Sequence, residues 1–292
     1  MEINQEQYEQ EAMAFITKAK SLLKANTGIF SFIQDKDNNC EEASHCYVLA
    51  GNKYKLIGKW EEAGAAFYQA GIISPYNSTE CFINASKCYT SIGKHQDAVN
   101  LLYKAIHMYL QNGKFIAAAK QFVNIGLIYE NNIYDLEKAI SAYQYAADYY
   151  VVENSTTTAL PILLKMGKLN AQLEHYENAI ETFDKAITTS SNTMSKYNIP
   201  EYFFLSSLCR LCMGDFEGIE IVTTRCEALY CSLHVDPKRT FIVDLANACI
   251  EKNIDQFSYI VSEFNKTSST DDLTVALLLR IRRLITNEQV EL

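Results

Sequence analysis

Apolar and polar residues follow one another along most of this chain with the period of an amphipathic helix, and one short pattern recurs. In that pattern a small residue is followed by a large one four positions later and by a second small one three positions after that. Such positions share one face of a helix, and the small residues let a neighbouring helix approach closely. The four copies are Ala63–Phe67–Ala70, Ala98–Leu102–Ala105, Ala139–Tyr143–Ala146 and Ala179–Phe183–Ala186.

The spacing of these copies predicts a repeat of helical hairpins. Their first residues are 35, 41 and 40 positions apart, a period that is typical of helical solenoids. Gly58 and Gly93 precede the first two copies at the same offset, and glycine commonly ends a helix in the left-handed conformation. One hairpin cannot bury its own apolar face, so neighbouring hairpins are expected to stack. Strand signals are almost absent, and we therefore expect an all-α protein.

The predicted helices divide the chain into a repeat region and a final bundle. We predict a tetratricopeptide-like solenoid over residues 1–195 and a C-terminal helical bundle over residues 196–292, because the regular repeat fades after Ser195. Pro161 is expected in the first turn of a helix that starts near Ala159. The predicted helices are 4–25, 41–57, 60–73, 79–92, 95–111, 115–131, 134–152, 159–173, 176–190, 198–213, 216–231, 238–252, 255–265 and 271–286.

Composition narrows the classes of function. The net charge is −9 and the pI is about 5.2, which argues against a general nucleic-acid binder, since that function needs a basic surface. No stretch of 18 apolar residues occurs, so no membrane-spanning helix is expected. The N-terminus is polar and acidic and lacks the features of a signal peptide. We therefore expect a cytoplasmic protein.

Nothing in the sequence predicts catalysis, a metal site or a cofactor. There is no Gly-rich phosphate loop, no G-x-S-x-G and no H-E-x-x-H, and the five histidines stand singly. Cys209 and Cys212 form a C-x-x-C motif, but no second pair of ligands lies at zinc spacing, and their apolar neighbours favour a core role. The 19 tyrosines and 14 phenylalanines are expected to pack between hairpins.

Longer stretches of the sequence resemble one family of helical-repeat proteins. Residues 118–150, AAKQFVNIGLIYENNIYDLEKAISAYQYAADYY, resemble the central segment of the soluble NSF attachment proteins (SNAPs) of the alpha type. KYNIPEYFF followed by LC, within 196–209, is similar to the family's segment between solenoid and bundle. GKWEEAGAAFYQA at 58–70 resembles an early repeat, and LLLRIRRLI at 277–285 resembles the final basic helix. The resemblance covers nearly the whole chain.

This resemblance implies an adaptor rather than an enzyme. Family members bind the four-helix SNARE bundle with their concave face and recruit the hexameric ATPase NSF through their C-terminal region. NSF then uses ATP to pull the bundle apart in vesicle fusion and intracellular transport, for example between the ER and the Golgi. Several copies surround one bundle, no cofactor is implied, and the protein would be cytoplasmic and peripheral on membranes.

The resemblance also assigns lysines to the SNARE contact. Family basic positions match Lys114, Lys120 and Lys165, and SNARE bundles have acidic surfaces. Lys114 and Lys120 are six positions apart, so they do not share one exact stripe of a helix. Where the family tends to carry another lysine, this chain has Leu160-Pro161, so part of the SNARE contact is expected to be weaker or shifted.

The C-terminal end would contact NSF. The matching residues are Arg280, Arg282 and Arg283 on the last predicted helix, and Glu288, Glu291 and Leu292 in a tail that resembles the family's acidic tail ending in leucine. This tail is less acidic than usual, and the family's Asp-x-Trp before the last helix lacks its tryptophan here. Both departures predict weaker stimulation of NSF or a divergent partner ATPase.

A predicted loop at 26–39, NTGIFSFIQDKDNN, holds four large apolar residues between a turn signal and a polar run. The matching loop of the family touches the membrane, so the resemblance assigns weak membrane contact to Ile29, Phe30, Phe32 and Ile33. Partial insertion of such side chains is worth about a few kcal/mol per copy, and several copies on one bundle would bind together. The alternative is that the loop folds back onto the first hairpin.

Two other classes of function stay open. A generic tetratricopeptide scaffold would bind a peptide or a chaperone tail through Lys, Arg and Asn at repeat spacing on its inner helices, and no clean cluster of that kind is visible. A helical lid or subunit of a coat or regulatory particle is the third class. Capture of partners from cytosol would separate all three.

Overall fold

The structure, a computed structural model, describes residues 5–25, 33–74, 77–191 and 195–286, and in these ranges it contains helices and no strands. The predicted all-α fold is confirmed. The helices are α1 Gln5–Ala25, α2 Ile33–Leu56, α3 Trp60–Ile73, α4 Ser78–Ser91, α5 His95–Gln111, α6 Phe115–Ile128, α7 Leu136–Val152, α8 Thr156–Gln172, α9 Tyr176–Ser191, α10 Ile199–Met213, α11 Phe216–Leu229, α12 Pro237–Ile250, α13 Ile254–Thr267 and α14 Asp272–Thr286. A π-helical turn, Tyr129–Ile133, follows α6, and 3₁₀ turns occupy Lys196–Asn198 and Cys231–Val235.

The chain forms two compact units, Met1–Tyr149 and Tyr150–Leu292. In the first unit each helix from α1 to α6 packs against the next one along the chain. Short turns make this possible: Gly58 ends α2 at φ +74°, and the N–H of Lys59 donates to the carbonyl of Tyr54 at 2.9 Å. Glycine adopts this left-handed conformation without steric cost. Helices of this unit therefore reverse direction within a few residues.

In the second unit the first helices also pack in chain order, and several later helices then pack around one of them. Helices α8, α9 and α10 pack in succession, after which α11, α12 and α14 all pack against α10. Because α10 has neighbours on several sides, nearly all of its apolar residues are buried, among them Phe203, Leu205 and Leu208. The predicted boundary between the solenoid and the C-terminal bundle, at residue 195, was based on the end of the repeat pattern, and it stays a prediction.

The recurrent small–large–small pattern lies in the core as predicted. Phe67, Tyr143 and Phe183 are at most 1% exposed. Each rests on a glycine of the preceding helix, and a Cβ atom on Gly126 or Gly167 would lie 2.4 Å from the ring of Tyr143 or Phe183. The large residue of the pattern therefore fills the space that a glycine of the preceding helix leaves open. In the sequence, this glycine lies 16 or 17 positions before the large residue.

Several predicted boundaries were wrong, for identifiable reasons. Helix α2 begins at Ile33, so residues 33–39 of the predicted loop are helical, since a polar run without glycine or proline does not stop a helix. Helix α8 begins at Thr156, which places Pro161 inside it rather than in its first turn. The proline leaves the carbonyl of Thr157 without its helical partner, and Thr157 is exposed to solvent.

Within the described residues, no helix combines the length and the apolar character that crossing a bilayer requires.

Candidate functional site

The two predicted SNARE-contact lysines of the first unit lie on one helix. Lys114 is the N-cap of α6, where its carbonyl accepts a hydrogen bond from the N–H of Ala118 at 3.0 Å. Lys120 lies on the second turn of α6, and both side chains are exposed. Lys120 begins a stripe that continues through Asn124 and Leu127, one and two turns further along the helix.

Lys165 belongs to the second unit, where it is half-buried on α8. One turn away on the same helix, the ammonium group of Lys168 lies 2.9 Å from a carboxylate oxygen of Asp271, just before α14. Lys168 thus links α8 to α14.

Asp271 fixes the start of the last helix. Its carboxylate accepts hydrogen bonds from the backbone N–H of Thr274 at 2.9 Å and from the Thr274 hydroxyl at 2.6 Å. Partial burial favours the neutral carboxyl, but these hydrogen bonds and the Lys168 ammonium outweigh it and lower the pKa of Asp271 to about 2. The acidic residue that precedes the last helix therefore has a structural role even though no tryptophan follows it.

The three predicted NSF-contact arginines of α14 have different surroundings. Arg280 is half-buried, and its Nη2 lies 3.7 Å from Oε2 of Glu174, in the turn before α9. Arg282 and Arg283 are exposed at the end of the helix. Arg282 and Arg283 thus face solvent, whereas Arg280 helps to hold α14 against its own unit.

The remaining predicted contact residues lie in parts of the chain that the structure does not describe, or have undescribed side chains. Ile29, Phe30 and Phe32 are outside the described residues, and Ile33 opens α2 with its side chain undescribed. Glu288, Glu291 and Leu292 also lie beyond the described part of the chain, which ends at residue 286. The membrane-contact and tail assignments therefore stay predictions.

The structure reveals an aromatic surface on the first unit that the sequence reasoning missed, formed by Tyr103, Phe115, Phe122, Tyr145 and Tyr149. Phe122 is buried beneath Tyr145, with ring centroids 5.1 Å apart, and Phe115 stacks on Tyr149 at 5.9 Å. Tyr103 and Tyr145 pack against Phe122 of a neighbouring helix and are also 46% and 54% exposed, so part of each ring faces solvent. Aromatic residues are enriched in protein interfaces, and this surface begins at Phe115, next to Lys114. In the sequence, this surface could have been predicted from Tyr145 and Tyr149, which are four positions apart and therefore lie on one face of α7.

The C-x-x-C motif lies in the core of the second unit, where Cys209 and Cys212 are both buried. Burial raises the pKa of both thiols, to about 12 for Cys212. Among the described residues no group of His, Cys, Asp and Glu side chains is arranged to hold a metal ion.

Comparison with known proteins finds similarity along nearly the whole chain. The family model described as soluble NSF attachment protein, SNAP, matches residues 10–286. The alpha-soluble NSF attachment protein of Mus musculus is 32% identical over 288 residues, which covers 97% of this chain and 97% of that protein. The beta-soluble NSF attachment protein of Bos taurus is 32% identical over 95% of this chain and 94% of its own length. A probable vesicular-fusion protein of Neurospora crassa is 28% identical over 90% of this chain and 92% of its own length.

Proposed function

Because the chain belongs to the soluble NSF attachment protein family, we propose that it is an adaptor that binds assembled SNARE complexes and recruits and stimulates NSF for their disassembly. The observation that carries this proposal is the family match from residue 10 to residue 286, which extends over most of both compact units. The names of the relatives support a role as an NSF attachment protein in vesicle fusion. In this role ATP hydrolysis belongs to NSF, and the chain itself carries out no catalysis.

The SNARE contact is proposed at the exposed lysines of α6 and at Lys165 of α8. The whole chain carries a net charge of −9, so an acidic partner can be attracted only where cations are locally concentrated. Lys114 and Lys120 supply two exposed cations on one helix, and the aromatic surface begins beside Lys114. Lysine contacts of this kind contribute orientation and association rate, while buried aromatic contacts contribute most of the affinity.

The NSF contact is proposed at the end of α14 and in the tail that follows. Arg282 and Arg283 are exposed there, and they precede Glu288, Glu291 and Leu292 in sequence. Fewer acidic residues in the tail reduce electrostatic attraction to a basic surface of the ATPase. We therefore propose that this chain couples to NSF more weakly than a member with a fully acidic tail, or that it works with a divergent ATPase.

Membrane contact is proposed through the apolar residues of 26–33. Each copy would hold a bilayer only weakly, and several copies around one membrane-anchored SNARE bundle would act together through their high local concentration. The protein would accordingly be peripheral on membranes while it acts and free in the cytoplasm otherwise.

Disassembly of a purified SNARE complex tests the proposal. The complex carries a donor and an acceptor fluorophore on two different helices, and loss of energy transfer is followed after addition of NSF, Mg²⁺ and ATP. We expect disassembly only when this protein is present, and none when ATP is replaced by a non-hydrolysable analogue. A chain that lacks Leu292 should still sediment with the SNARE complex but should support slower disassembly. Failure of the full-length protein to bind the complex at low salt would contradict the proposal.

A further inference from the structure

A surface cleft of about 360 Å³ lies between α4 and α6 of the first unit, and its lining begins one turn after Lys120 on α6. Its volume falls at the lower end of the range of about 300–1,000 Å³ for ligand pockets. The apolar part of its lining comes from Ile83, Leu102, Leu127 and Ile128. A cleft with this lining can accept one or two apolar side chains of a ligand.

The backbone beside the cleft is irregular. Helix α6 gives way to the π-helical turn Tyr129–Ile133, and Tyr134 follows at φ +61°. Short π-helical turns of this kind are frequent at functional sites. The turn is tied to α7, because the hydroxyl of Tyr143 donates a hydrogen bond to Glu130 at 2.6 Å. Its next two residues, Asn131 and Asn132, are exposed and line the cleft.

The polar lining has a specific chemical character. Asn124, Asn131 and Asn132 each carry a donor and an acceptor, the same pair that an extended peptide backbone presents. Lys87 of α4 is the one charged residue of this lining, and no carboxylate lines the cleft. Across the part of the chain that the structure describes, the side chains of Lys87, Asn131 and Asn132 make no hydrogen bond or ion pair.

We propose that this cleft binds an extended peptide segment of a partner protein in which an Asp or Glu side chain lies beside an apolar residue. The carboxylate would accept hydrogen bonds from the ammonium group of Lys87, and the apolar neighbour would cover Leu127 and Ile83. Asn131 and Asn132 would pair with the peptide backbone, while the amide of Asn124 already donates to Gln121 at 2.9 Å. Lys120 lies one turn before Asn124 on the same stripe of α6, so a longer acidic segment would continue toward it.

Fluorescence anisotropy with two labelled peptides tests this proposal on the full-length protein alone, without SNAREs or NSF. The probe is the amidated pentapeptide Leu-Glu-Ile-Glu-Leu, and its matched control is Leu-Gln-Ile-Gln-Leu, which has the same shape and no charge. We expect the glutamate peptide to bind about tenfold more tightly, because a charge-assisted hydrogen bond is roughly twice as strong as a neutral one. Lys87→Gln should abolish that preference. Lys20→Gln, at an exposed lysine of α1, should preserve it.

A second variant separates recognition of the charge from recognition of the backbone. Asn131→Ala combined with Asn132→Ala should weaken both peptides by a similar factor, since both have the same backbone. Melting temperatures of all variants are measured in parallel, and exposed positions of this kind should change them little. Equal affinity of the wild-type protein for the two peptides, absence of binding, or a glutamate preference that survives in Lys87→Gln would each overturn the proposal. These outcomes leave the SNARE and NSF assays unaffected.

Discussion

Single glycines control how closely neighbouring helices of this protein pack. A methyl group on Gly126 would lie 2.4 Å from the ring of Tyr143, which is 1% exposed and held by its hydrogen bond to Glu130. The ring cannot move away without giving up that bond or disturbing the surrounding core. At the residue scale, the lack of a side chain at Gly126 is therefore as necessary for this packing as the aromatic ring of Tyr143.

We expect Gly126→Ala to lower the free energy of unfolding by about 1–3 kcal/mol, the usual cost of overpacking a core. The better helix propensity of alanine offsets up to about 1 kcal/mol of that cost. Urea unfolding followed by circular dichroism measures the difference. Ser141→Ala, at an exposed position of α7, is the matched control and should change stability by less than about 0.5 kcal/mol. A variant as stable as the wild type would show that the two helices can separate without cost.

The carboxylate of Asp271 predicts a pH-dependent contribution to stability. Its pKa is lowered from 3.8 to about 2 in the folded protein, so the contribution is complete above about pH 4 and is lost as the pH falls toward 2. Asp271→Asn keeps a side-chain oxygen for the cap but removes the charge beside Lys168. We expect the variant to melt below the wild type at pH 5–7, and the difference to disappear between pH 4 and pH 2. A difference that stays constant over this range would contradict the assignment.

At the scale of whole helices, a partly buried ion network joins three helices of the second unit. The guanidinium group of Arg210, on α10, donates to Asp184 of α9 and to Asp215 at the start of α11, both at 2.8 Å. The hydroxyl of Ser206 also donates to Asp184, and Asp215 caps α11 by accepting from the N–H of Gly218. Three consecutive helices are thus joined through a side chain that is 14% exposed.

Arg210→Met should therefore lower the free energy of unfolding by about 1–3 kcal/mol, because it leaves two carboxylates that are 24% and 39% exposed without their charged partner. Denaturant unfolding measures the loss. The exposed pair of Lys94 and Glu61 provides the comparison, and Lys94→Met should cost less than about 1 kcal/mol. Similar losses for both variants would mean that burial adds nothing to the Arg210 network.

The order and type of the helices could be predicted from the sequence because their apolar residues repeat with the helical period. Helix α3 and helix α5 begin and end at the predicted residues. The ends of α2 and α8 were misplaced because exposed polar residues and an exposed proline are tolerated inside a helix that packing holds in place. The π-helical turn after α6 left no periodic signal, since it inserts an irregularity where the pattern was expected to continue.

At the scale of the whole molecule, the proposed adaptor function predicts a salt-dependent contact. Lys120→Glu combined with Lys165→Glu should weaken binding of the assembled SNARE complex roughly tenfold at low ionic strength, because each change replaces attraction by repulsion. Binding by the wild-type protein should fall steeply as salt is added. Lys20→Glu has the same change in charge at an exposed position of α1 and should bind normally. Unchanged binding by the double variant would exclude Lys120 and Lys165 from the contact.

The proposed membrane contact gives a prediction with two opposite outcomes. Phe30→Ser combined with Phe32→Ser should abolish flotation with liposomes and leave the melting temperature unchanged if these side chains enter the bilayer. If they instead pack on the first hairpin, the melting temperature should fall and flotation should be unaffected. Liposome flotation and thermal unfolding on the same preparation distinguish the two.

The sequence by itself determined the all-helical class, the repeat of hairpins and the family, since these depend on local periodicity and on extended similarity along one chain. It also placed the lysines of α6 and the arginines of α14. Only the tertiary structure decided which of these side chains are exposed, which are engaged like Arg280, and which distant residues meet. The aromatic surface and the cleft beside Lys87 both combine residues from different helices. Such neighbours are brought together by packing between helices, which a one-dimensional pattern does not encode.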